Sequence, residues 1–358
     1  MQKAIIITGG AGFIGSALAT RLGTIGLPIV AVDNLHPQIH PNQSRPEALP
    51  DHVTLHVGDV TLAQTWEDVL AQWTPEVVVH LAAETGTGQS LTEATRHADV
   101  NVVGTTAMLD AFSRHKIVPK HILLASSRAV YGEGAWVDVN GVVFYPPPRS
   151  HDILAAGKWD PEAPSGNAKP TPLAHDAAVV FPQPTSVYGA TKLAQEHILA
   201  AWCGAMRVPL SVFRLQNVYG PGQSPFNAYT GIITLFHRLA RKGHQLEVYE
   251  DGLIGRDFVY IDDVVAALAA GLSAPPAARR TLDVGYGVST TIHDAARVVA
   301  ALHGAPEPVV CGKFRDGDVR WAVADAGPLA NELGVKASVS FEEGARRVGD
   351  WLVERGYA

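Results

Sequence analysis

The chain has 358 residues, 47% of them hydrophobic and 18% charged, so it can bury a large core and is too long for one minimal domain. Its formal net charge of −7 leaves no basic excess, which argues against nucleic acid and anionic membranes as partners. Its two cysteines, Cys203 and Cys311, form no CxxC motif, so we expect neither a disulfide framework nor a metal site. The opening residues do not resemble a signal peptide, and no uncharged apolar run of about 18 residues occurs, so we expect a soluble, cytoplasmic protein.

The first 130 residues alternate between short β-branched runs and longer helical patterns. This alternation predicts the α/β class, with a Rossmann-like, doubly wound parallel sheet. Two later helices are expected at 188–202 and 231–241. The expected strands cover residues 5–8, 29–33, 53–56, 77–81 and 121–125.

A glycine-rich turn, TGGAGFIG at residues 8–15, joins the first strand to a helix start. Glycines there let the backbone approach a pyrophosphate, whose charge then meets the free N–H groups and positive dipole end of the helix. Such a turn alone could be only a tight turn, but the next strand ends at Asp33, where a carboxylate should meet an adenine ribose. Together the two signals predict a dinucleotide site. The predicted contacts in the turn are Gly9, Gly12, Phe13, Ile14 and Gly15.

The cofactor preference follows from the ends of the second and third strands. Asp33 is followed by Asn34 with no arginine beside it, so a 2′-phosphate would face an unpaired negative charge. The sequence therefore predicts NAD rather than NADP, with both residues in contact with it. Asp59 and Val60 are also predicted contacts, on the adenine side, although an Asp59 that caps the next helix is an equally good interpretation.

Residues 133–186 are rich in glycine and proline, which indicates an ordered loop or a lid. A second cluster of this kind, at 219–225, precedes the second of the later helices. We predict an NAD-binding domain over residues 1–215, with the insertion inside it, and a smaller, mainly substrate-binding α/β domain over 216–358. Residues 257–285 are expected to return to the first domain.

The chemistry is expected at Tyr188 and Lys192, a YxxxK motif whose spacing places the phenol and the ammonium on one helix face. A tyrosine base must lose about 3 pKa units, roughly 4 kcal/mol, and a lysine about 4 Å away supplies energy of that order. Ser126 and Ser127 end the strand at 121–125, at the edge where such sheets hold ligands. Ser127 can then bind the reacting oxygen, although both serines could simply cap backbone groups.

Several motifs spread along the chain belong to one pattern. They are the glycine turn, Leu81-Ala82-Ala83, Ser127 four residues before Tyr131, YxxxK, RLQN at 214–217 and RDF at 256–258. Together they resemble the extended short-chain dehydrogenase/reductases over nearly the whole chain. Within that family the chain is most similar to nucleotide-sugar 4-epimerases of the UDP-glucose 4-epimerase and dTDP-L-rhamnose 4-epimerase type. The submotifs are AETGTGQS at 83–90, NxYTG at 227–231 and GDVR at 317–320.

The resemblance implies NAD-dependent epimerisation at C4 of a nucleotide-diphosphate sugar, a UDP- or dTDP-hexose such as dTDP-L-rhamnose, through a 4-keto intermediate. It implies a homodimer that uses the helix at 188–202, although that helix could equally be buried within one chain. The implied catalytic triad is Ser127, Tyr188 and Lys192. The implied contacts on the nicotinamide side are Leu81, Ala82, Ala83, Asn101, Tyr188 and Lys192. The implied substrate contacts are Ser127, Asn217, Arg256 and Arg320, and the alternative for Arg256 is a surface ion pair.

Other interpretations remain open beside this one. Dehydratases that resemble the chain carry an acidic pair where Arg128-Ala129 stand, so dehydration would lack its general acid and base. A nucleotide-sugar 4-ketoreductase or dehydrogenase with net redox chemistry could use the same triad. An NAD-sensing regulatory protein on this scaffold is the third interpretation. His80 is interpreted as a hydrogen-bonded sheet residue rather than a metal ligand.

Overall fold

The computed structural model describes residues 1–23, 26–166, 168–225 and 231–357. At its centre lies a seven-stranded sheet in which every neighbouring pair is parallel. Its strands are β1 (Gln2–Thr8), β2 (Ile29–Asp33), β3 (Thr54–Val57), β4 (Trp73–His80), β5 (His121–Ser127), β6 (Leu210–Leu215) and β7 (Arg279–Val284). The order across the sheet is β7-β6-β5-β4-β1-β2-β3. The chain therefore winds outward on both sides of β1, and a ligand crevice is expected between β1 and β4, where the winding reverses.

Helices cover both faces of this sheet and extend into the C-terminal part. They are α1 (Phe13–Leu22), α2 (Ala63–Gln72), α3 (Ala94–Ala98), α4 (Gly104–Arg114), α5 (His151–Ala155), α6 (Val187–Met206), α7 (Ile232–Arg241), α8 (Ile261–Ser273), α9 (Ile292–His303), α10 (Gly327–Leu333) and α11 (Phe341–Glu354). None of the helices in the described ranges is long and apolar enough to cross a membrane.

The two faces of β1 contribute side chains to two separate hydrophobic clusters, because successive side chains of a strand point to opposite sides. Ile5 and Ile7 belong to one cluster, which includes side chains from α1 and α8. Ala4 and Ile6 belong to the other, which includes side chains from α2, α4 and α6. The sheet is thus buried on both sides, which explains why its strands are continuous apolar runs rather than alternating ones.

The structure confirms the predicted α/β class and places strands at all five predicted runs, with differences at their ends. β2 matches its prediction, whereas β4 begins at Trp73, four residues before the expected start. Pro75 lies within β4 and pairs with Ala4 next to a register shift. Proline is unusual within a central strand, so the sequence pattern favoured a later start. The later helices extend over α6 and α7, close to their predicted ranges.

The proline-rich insertion, residues 133–186, forms a small antiparallel sheet in which Trp136–Val137 pairs with Val143–Phe144 and Thr171–Pro172. The further short strands of the C-terminal part are Asn217–Tyr219, Glu247–Val248, Gly255–Arg256, Phe258–Tyr260, Thr290–Thr291, Val309–Val310 and Trp321–Ala322. The predicted division at residue 215 stays a prediction, although β7 lies within residues 257–285 and pairs with β6.

The insertion is held in place by Arg149, a buried arginine that reaches three parts of the chain. Its guanidinium donates to Glu133 (3.0 Å), to Glu250 (2.9 Å) and to the carbonyl of Asp318 (2.8 Å). Because buried ion pairs require close geometry on every side, these contacts fix the insertion against the C-terminal part.

Candidate active site

A single cavity at the carboxyl ends of β1, β2 and β4 brings together most of the residues predicted to bind the cofactor. It lies beside the β1–β4 crevice, the position expected for a ligand in a doubly wound sheet. The predicted residues that line it are Gly9, Gly12, Asp33, Asn34, Asp59, Val60, Leu81, Ala82 and Ala83.

The glycine turn at the floor of this cavity is too close to its neighbours for side chains. A Cβ added to Gly9 would lie 2.8 Å from the backbone nitrogen of Ala82, and Gly9 has a φ of +64°. A Cβ on Gly15 would lie 2.4 Å from the carbonyl oxygen of Gly9. α1 begins at Phe13, and its N-cap Gly12 offers no side chain to the first-turn N–H groups of Phe13, Ile14 and Gly15. Such a cradle fits a pyrophosphate.

Asp33 and Asp59 face the same cavity from β2 and the segment after β3. Asp33 accepts hydrogen bonds from the N–H groups of Ala11 (3.1 Å) and Leu35 (2.9 Å), which hold its carboxylate against the glycine turn. Asn34 donates to Asp59 (3.1 Å). Asp59 also accepts from the N–H of Thr61 (2.9 Å), but α2 begins at Ala63 with Leu62 as its N-cap and no side-chain cap, so the helix-capping interpretation of Asp59 is wrong.

Ser127 and Tyr188 lie next to each other beyond the carboxyl end of β5, close enough for the serine hydroxyl to influence the acidity of the phenol. Ser127 is the last residue of β5, and its hydroxyl also accepts from the N–H of Ala129 (3.1 Å). Tyr188 is half-buried in the first turn of α6, whose N-cap Ser186 accepts from the N–H of Gly189 (3.1 Å). Lys192 follows one turn later on the buried face of α6 and is only 2% exposed.

The surroundings change the acidity of both groups on α6. Burial raises the pKa of the Tyr188 phenol, while the hydrogen bond from Ser127 and the positive charge of Arg128 act in the opposite direction. Burial lowers the pKa of the Lys192 ammonium to about 7, against the negative charge of Glu196. The sequence predicted that Lys192 lowers the pKa of the phenol but did not indicate Arg128, whose positive charge also acts on it.

Asn101 connects the cofactor cavity to the catalytic helix. It lies in a π-helical turn, Asp99–Val103, a distortion that is common at functional sites. Its side chain accepts from the N–H of Glu84 (2.8 Å) and donates to the hydroxyl of Thr191 (2.9 Å). Glu84 lines the cavity and Thr191 precedes Lys192, so the two halves of the predicted site adjoin.

A buried ionic group behind the triad was not anticipated from the sequence. Glu196 accepts two hydrogen bonds from Arg214 of β6 (3.0 and 2.7 Å) and a third from the hydroxyl of Ser126 (2.5 Å). Ser126 thus faces away from the site, while its neighbour Ser127 faces Tyr188. The only sequence signal was the spacing of Glu196, one helical turn after Lys192.

Asn217 begins a short strand that pairs in parallel with Phe258–Tyr260, and Arg256 lies two residues before that second strand. Asn217 accepts from Nε of Arg128 (2.7 Å), and Arg256 donates to Asp318 (2.9 Å) while remaining 3% exposed. The segment NxYTG at 227–231 falls, apart from Gly231, outside the described residues.

Arg320 lies in a different environment from Asn217 and Arg256. Four donor contacts from its guanidinium go to Asp160 (2.7 Å), Glu250 (3.1 Å) and Asp251 (2.7 Å twice). These carboxylates already neutralise its charge, so its side chain fits the network of the insertion better than a phosphate site.

His80 has the hydrogen-bonded environment expected of it. Its two ring nitrogens lie 2.7 Å from the hydroxyl of Thr8 and 2.9 Å from that of Thr105. Burial, together with the charge of Lys192, lowers the pKa of His80 to about 3, so the ring is neutral at physiological pH.

A parallel sheet with a dinucleotide cradle at its switch point, beside an adjacent serine and tyrosine and a buried lysine, defines the class of short-chain dehydrogenase/reductases. The chain belongs to the NAD dependent epimerase/dehydratase family, whose model matches residues 5–150 and 162–285. This finding confirms the predicted family and the use of NAD.

Individual relatives agree with this classification. The chain is 53% identical to a dTDP-L-rhamnose 4-epimerase of Burkholderia thailandensis, over 98% of this chain and 95% of the relative. It is 29% identical to a UDP-glucose 4-epimerase of Mycolicibacterium smegmatis, over 97% of each chain.

Solved structures give the same result for the fold. A UDP-glucose 4-epimerase of Thermotoga maritima with UDP-glucose superposes with a TM-score of 0.79 at 26% identity, covering 98% of this chain and 99% of the other. The enzyme of Thermus thermophilus in complex with NAD superposes with a TM-score of 0.78 at 26% identity, covering 99% of this chain and all of the other. The predicted enzyme class, an NAD-dependent epimerase, is confirmed by these matches.

Proposed function

We propose that the protein inverts C4 of dTDP-L-rhamnose, without net oxidation of the sugar. The observation that carries the chemistry is the proximity of Ser127 to Tyr188, one helical turn before the buried Lys192. The choice of substrate is supported by the 53% identity to a dTDP-L-rhamnose 4-epimerase across 98% of the chain. UDP-hexoses are the second substrate class, because UDP-glucose 4-epimerases are among the relatives.

Each residue of the triad has a role in this reaction. The phenolate of Tyr188 takes the proton of the C4 hydroxyl, and Ser127 holds the same oxygen by a hydrogen bond. Lys192 binds the nicotinamide ribose and keeps a positive charge beside the phenol. NAD, when bound, accepts the C4 hydride and returns it. The 4-keto sugar turns about its diphosphate linkage before Tyr188 restores the proton, so the opposite configuration results.

The cofactor and the substrate have separate binding residues in this proposal. The glycine turn, Asp33 and Asn34 hold NAD on its adenosine side, and the segment Leu81–Ala83 with Asn101 holds it on the nicotinamide side. Asn217 and Arg256 bind the substrate diphosphate. We leave Arg320 out of this set because its side chain is saturated by carboxylates.

The proposal is tested by incubating the purified protein with dTDP-L-rhamnose that carries deuterium at C4 and following the products by NMR. We expect an equilibrium mixture with the C4 epimer in which both sugars keep the label, since hydride never exchanges with water. The Tyr188→Phe variant should lose about 10²- to 10⁴-fold in rate. Loss of deuterium to water, or no epimer from dTDP- or UDP-hexoses, overturns the proposal. Stoichiometric release of NADH would favour the alternative with net redox chemistry.

The proposal includes a cytoplasmic homodimer in which α6 contributes to the contact. Ile198 and Trp202 on α6 are only partly buried in the single chain, which leaves apolar surface for a second copy. Light scattering on the purified protein should give twice the mass of one chain, and a monomer over the working concentration range would contradict this part of the proposal.

A further inference from the structure

Arg128 lies next to the proposed catalytic residues, yet none of the predicted roles includes it. It directly follows Ser127 and begins a short 3₁₀ turn, Arg128–Tyr131. Its side chain is half-buried and donates from Nε to the amide oxygen of Asn217 at 2.7 Å. The guanidinium therefore spans the gap between the strand end that carries Ser127 and the residue proposed to bind the diphosphate.

The charge of Arg128 forms no ion pair with any of the residues that the structure describes. The buried arginines of the described residues, by contrast, each have a carboxylate within 4 Å, namely Arg149, Arg214, Arg256, Arg280 and Arg320. Within residues 1–23, 26–166, 168–225 and 231–357, Arg128 forms no ion pair, and the carboxylates of Asp318 and Glu133 act on it only through their charges. Burial and the like charge of Arg256 lower the pKa of Arg128 to about 10, so it is still a cation at neutral pH.

Four groups act electrostatically on Arg128. In decreasing order of effect they are Arg256, Asp318, the Tyr188 phenol and Glu133. Asp318 pairs with Arg256 (2.9 Å), and Glu133 pairs with Arg149 (3.0 Å), so one positive charge is left over. A desolvated cation without a counter-ion is costly, and an anionic ligand would remove that cost.

We propose that Arg128 binds the substrate diphosphate, on the phosphate that bears the sugar. This inference rests on the proposed function. A guanidinium presents a planar fork that suits two phosphate oxygens, and only Nε of Arg128 is used by Asn217. Of Arg128 and Arg256, Arg128 is the one whose charge acts on Tyr188, so it lies toward the reacting end of the substrate. There it would hold the linkage about which the 4-keto sugar turns.

The test compares the binding of dTDP and dTMP, by titration calorimetry, to the wild type and to Arg128→Gln. dTMP lacks the second phosphate, so only dTDP should respond. We expect dTDP affinity to fall about 10- to 100-fold while dTMP affinity is unchanged, since hydrogen bonds to charged groups have this strength. The KM for the dTDP-sugar should rise by a similar factor, and retained NAD should equal that of the wild type.

Two further variants make the result decisive. Arg114→Gln, which removes a surface arginine of α4, should bind both nucleotides like the wild type. Arg128→Lys keeps the charge without the fork and should weaken dTDP binding to an intermediate degree, and it decides the matter alone if Arg128→Gln does not fold. Unchanged dTDP affinity in the Arg128 variants, or an equal loss for dTMP, overturns the role of Arg128 alone. If the wild-type protein binds neither dTDP nor UDP, the proposed function is overturned as well.

Discussion

Lys192 and Glu196 lie one helical turn apart on the buried face of α6, and the negative charge of Glu196 is what keeps the pKa of Lys192 from falling below about 7 under burial. Glu196 is itself fixed by Arg214 through two hydrogen bonds. The charge state of the lysine proposed to bind the cofactor ribose therefore depends on an ion pair that reaches from α6 to the central sheet.

Replacing Lys192 with methionine should abolish turnover while stabilising the ligand-free protein. Burial lowers the pKa of Lys192 from 10.5 to about 7, so a charged ammonium at this site is unfavourable in the folded state. The stabilisation should be largest below pH 7, roughly 3 to 5 kcal/mol, and should shrink as the pH rises from 7 toward 10. Urea unfolding at pH 6 and pH 9 measures both values, and a variant less stable than the wild type at pH 6 would contradict the assignment.

Replacing Glu196 with glutamine should change both acidity and stability. Without the carboxylate charge, the ammonium of Lys192 loses its proton at lower pH. The alkaline limb of the kcat–pH profile should therefore shift to lower pH. The buried guanidinium of Arg214 loses its partner as well, at a cost of about 3 to 5 kcal/mol. Glu67→Gln, which breaks a surface pair with Arg114, is the matched control and should leave both the unfolding free energy and the pH profile close to those of the wild type.

The cofactor side of the site was the part best encoded in the sequence. The glycine turn, Asp33 and Asn34 are adjacent to strands whose apolar runs are visible without any structure, and the order of strand, turn and helix fixes their place. Glu196 and Arg214 were missed because their contact joins a helix to a strand 18 residues later, which no local pattern specifies.

Arg128 illustrates the same limit over a longer distance. Its partner Asn217 is 89 residues away, and the sequence showed only that an acidic pair was missing at its position. The network that saturates Arg320 joins residues as far apart as 160 positions, so a motif that resembled a substrate contact could not reveal that its charge was already neutralised.

Replacing Asp33 with asparagine should weaken NAD binding and reduce the preference of the protein for NAD over NADP. The carboxylate is held by the N–H groups of Ala11 and Leu35 and faces the predicted position of the adenine ribose. Loss of this charge should weaken NAD binding by about 10-fold or more, whereas the 2′-phosphate of NADP would no longer face a negative group. Fluorescence titration of cofactor-stripped protein checks this, with the exposed Asp51→Asn as control. Equal affinity of Asp33→Asn and wild type for NAD would refute the role.

Asp283 should make the stability of the protein fall with rising pH. Burial raises the pKa of Asp283 from 3.8 to about 7, although the hydroxyl of Tyr131 donates to it at 2.7 Å. The folded state therefore binds a proton that the unfolded chain has released between pH 4 and pH 7, so the stability present below pH 4 is lost as the pH rises to 7.

Asp283→Asn removes this titration and keeps an acceptor for Tyr131. Relative to the wild type, the variant should gain roughly 3 to 4 kcal/mol between pH 4 and pH 8. Urea unfolding at three pH values measures the gain, and the exposed Asp51→Asn should show none. Parallel curves for Asp283→Asn and wild type would mean that Asp283 is ionised throughout, with Arg214, whose positive charge already lowers its pKa, compensating for burial.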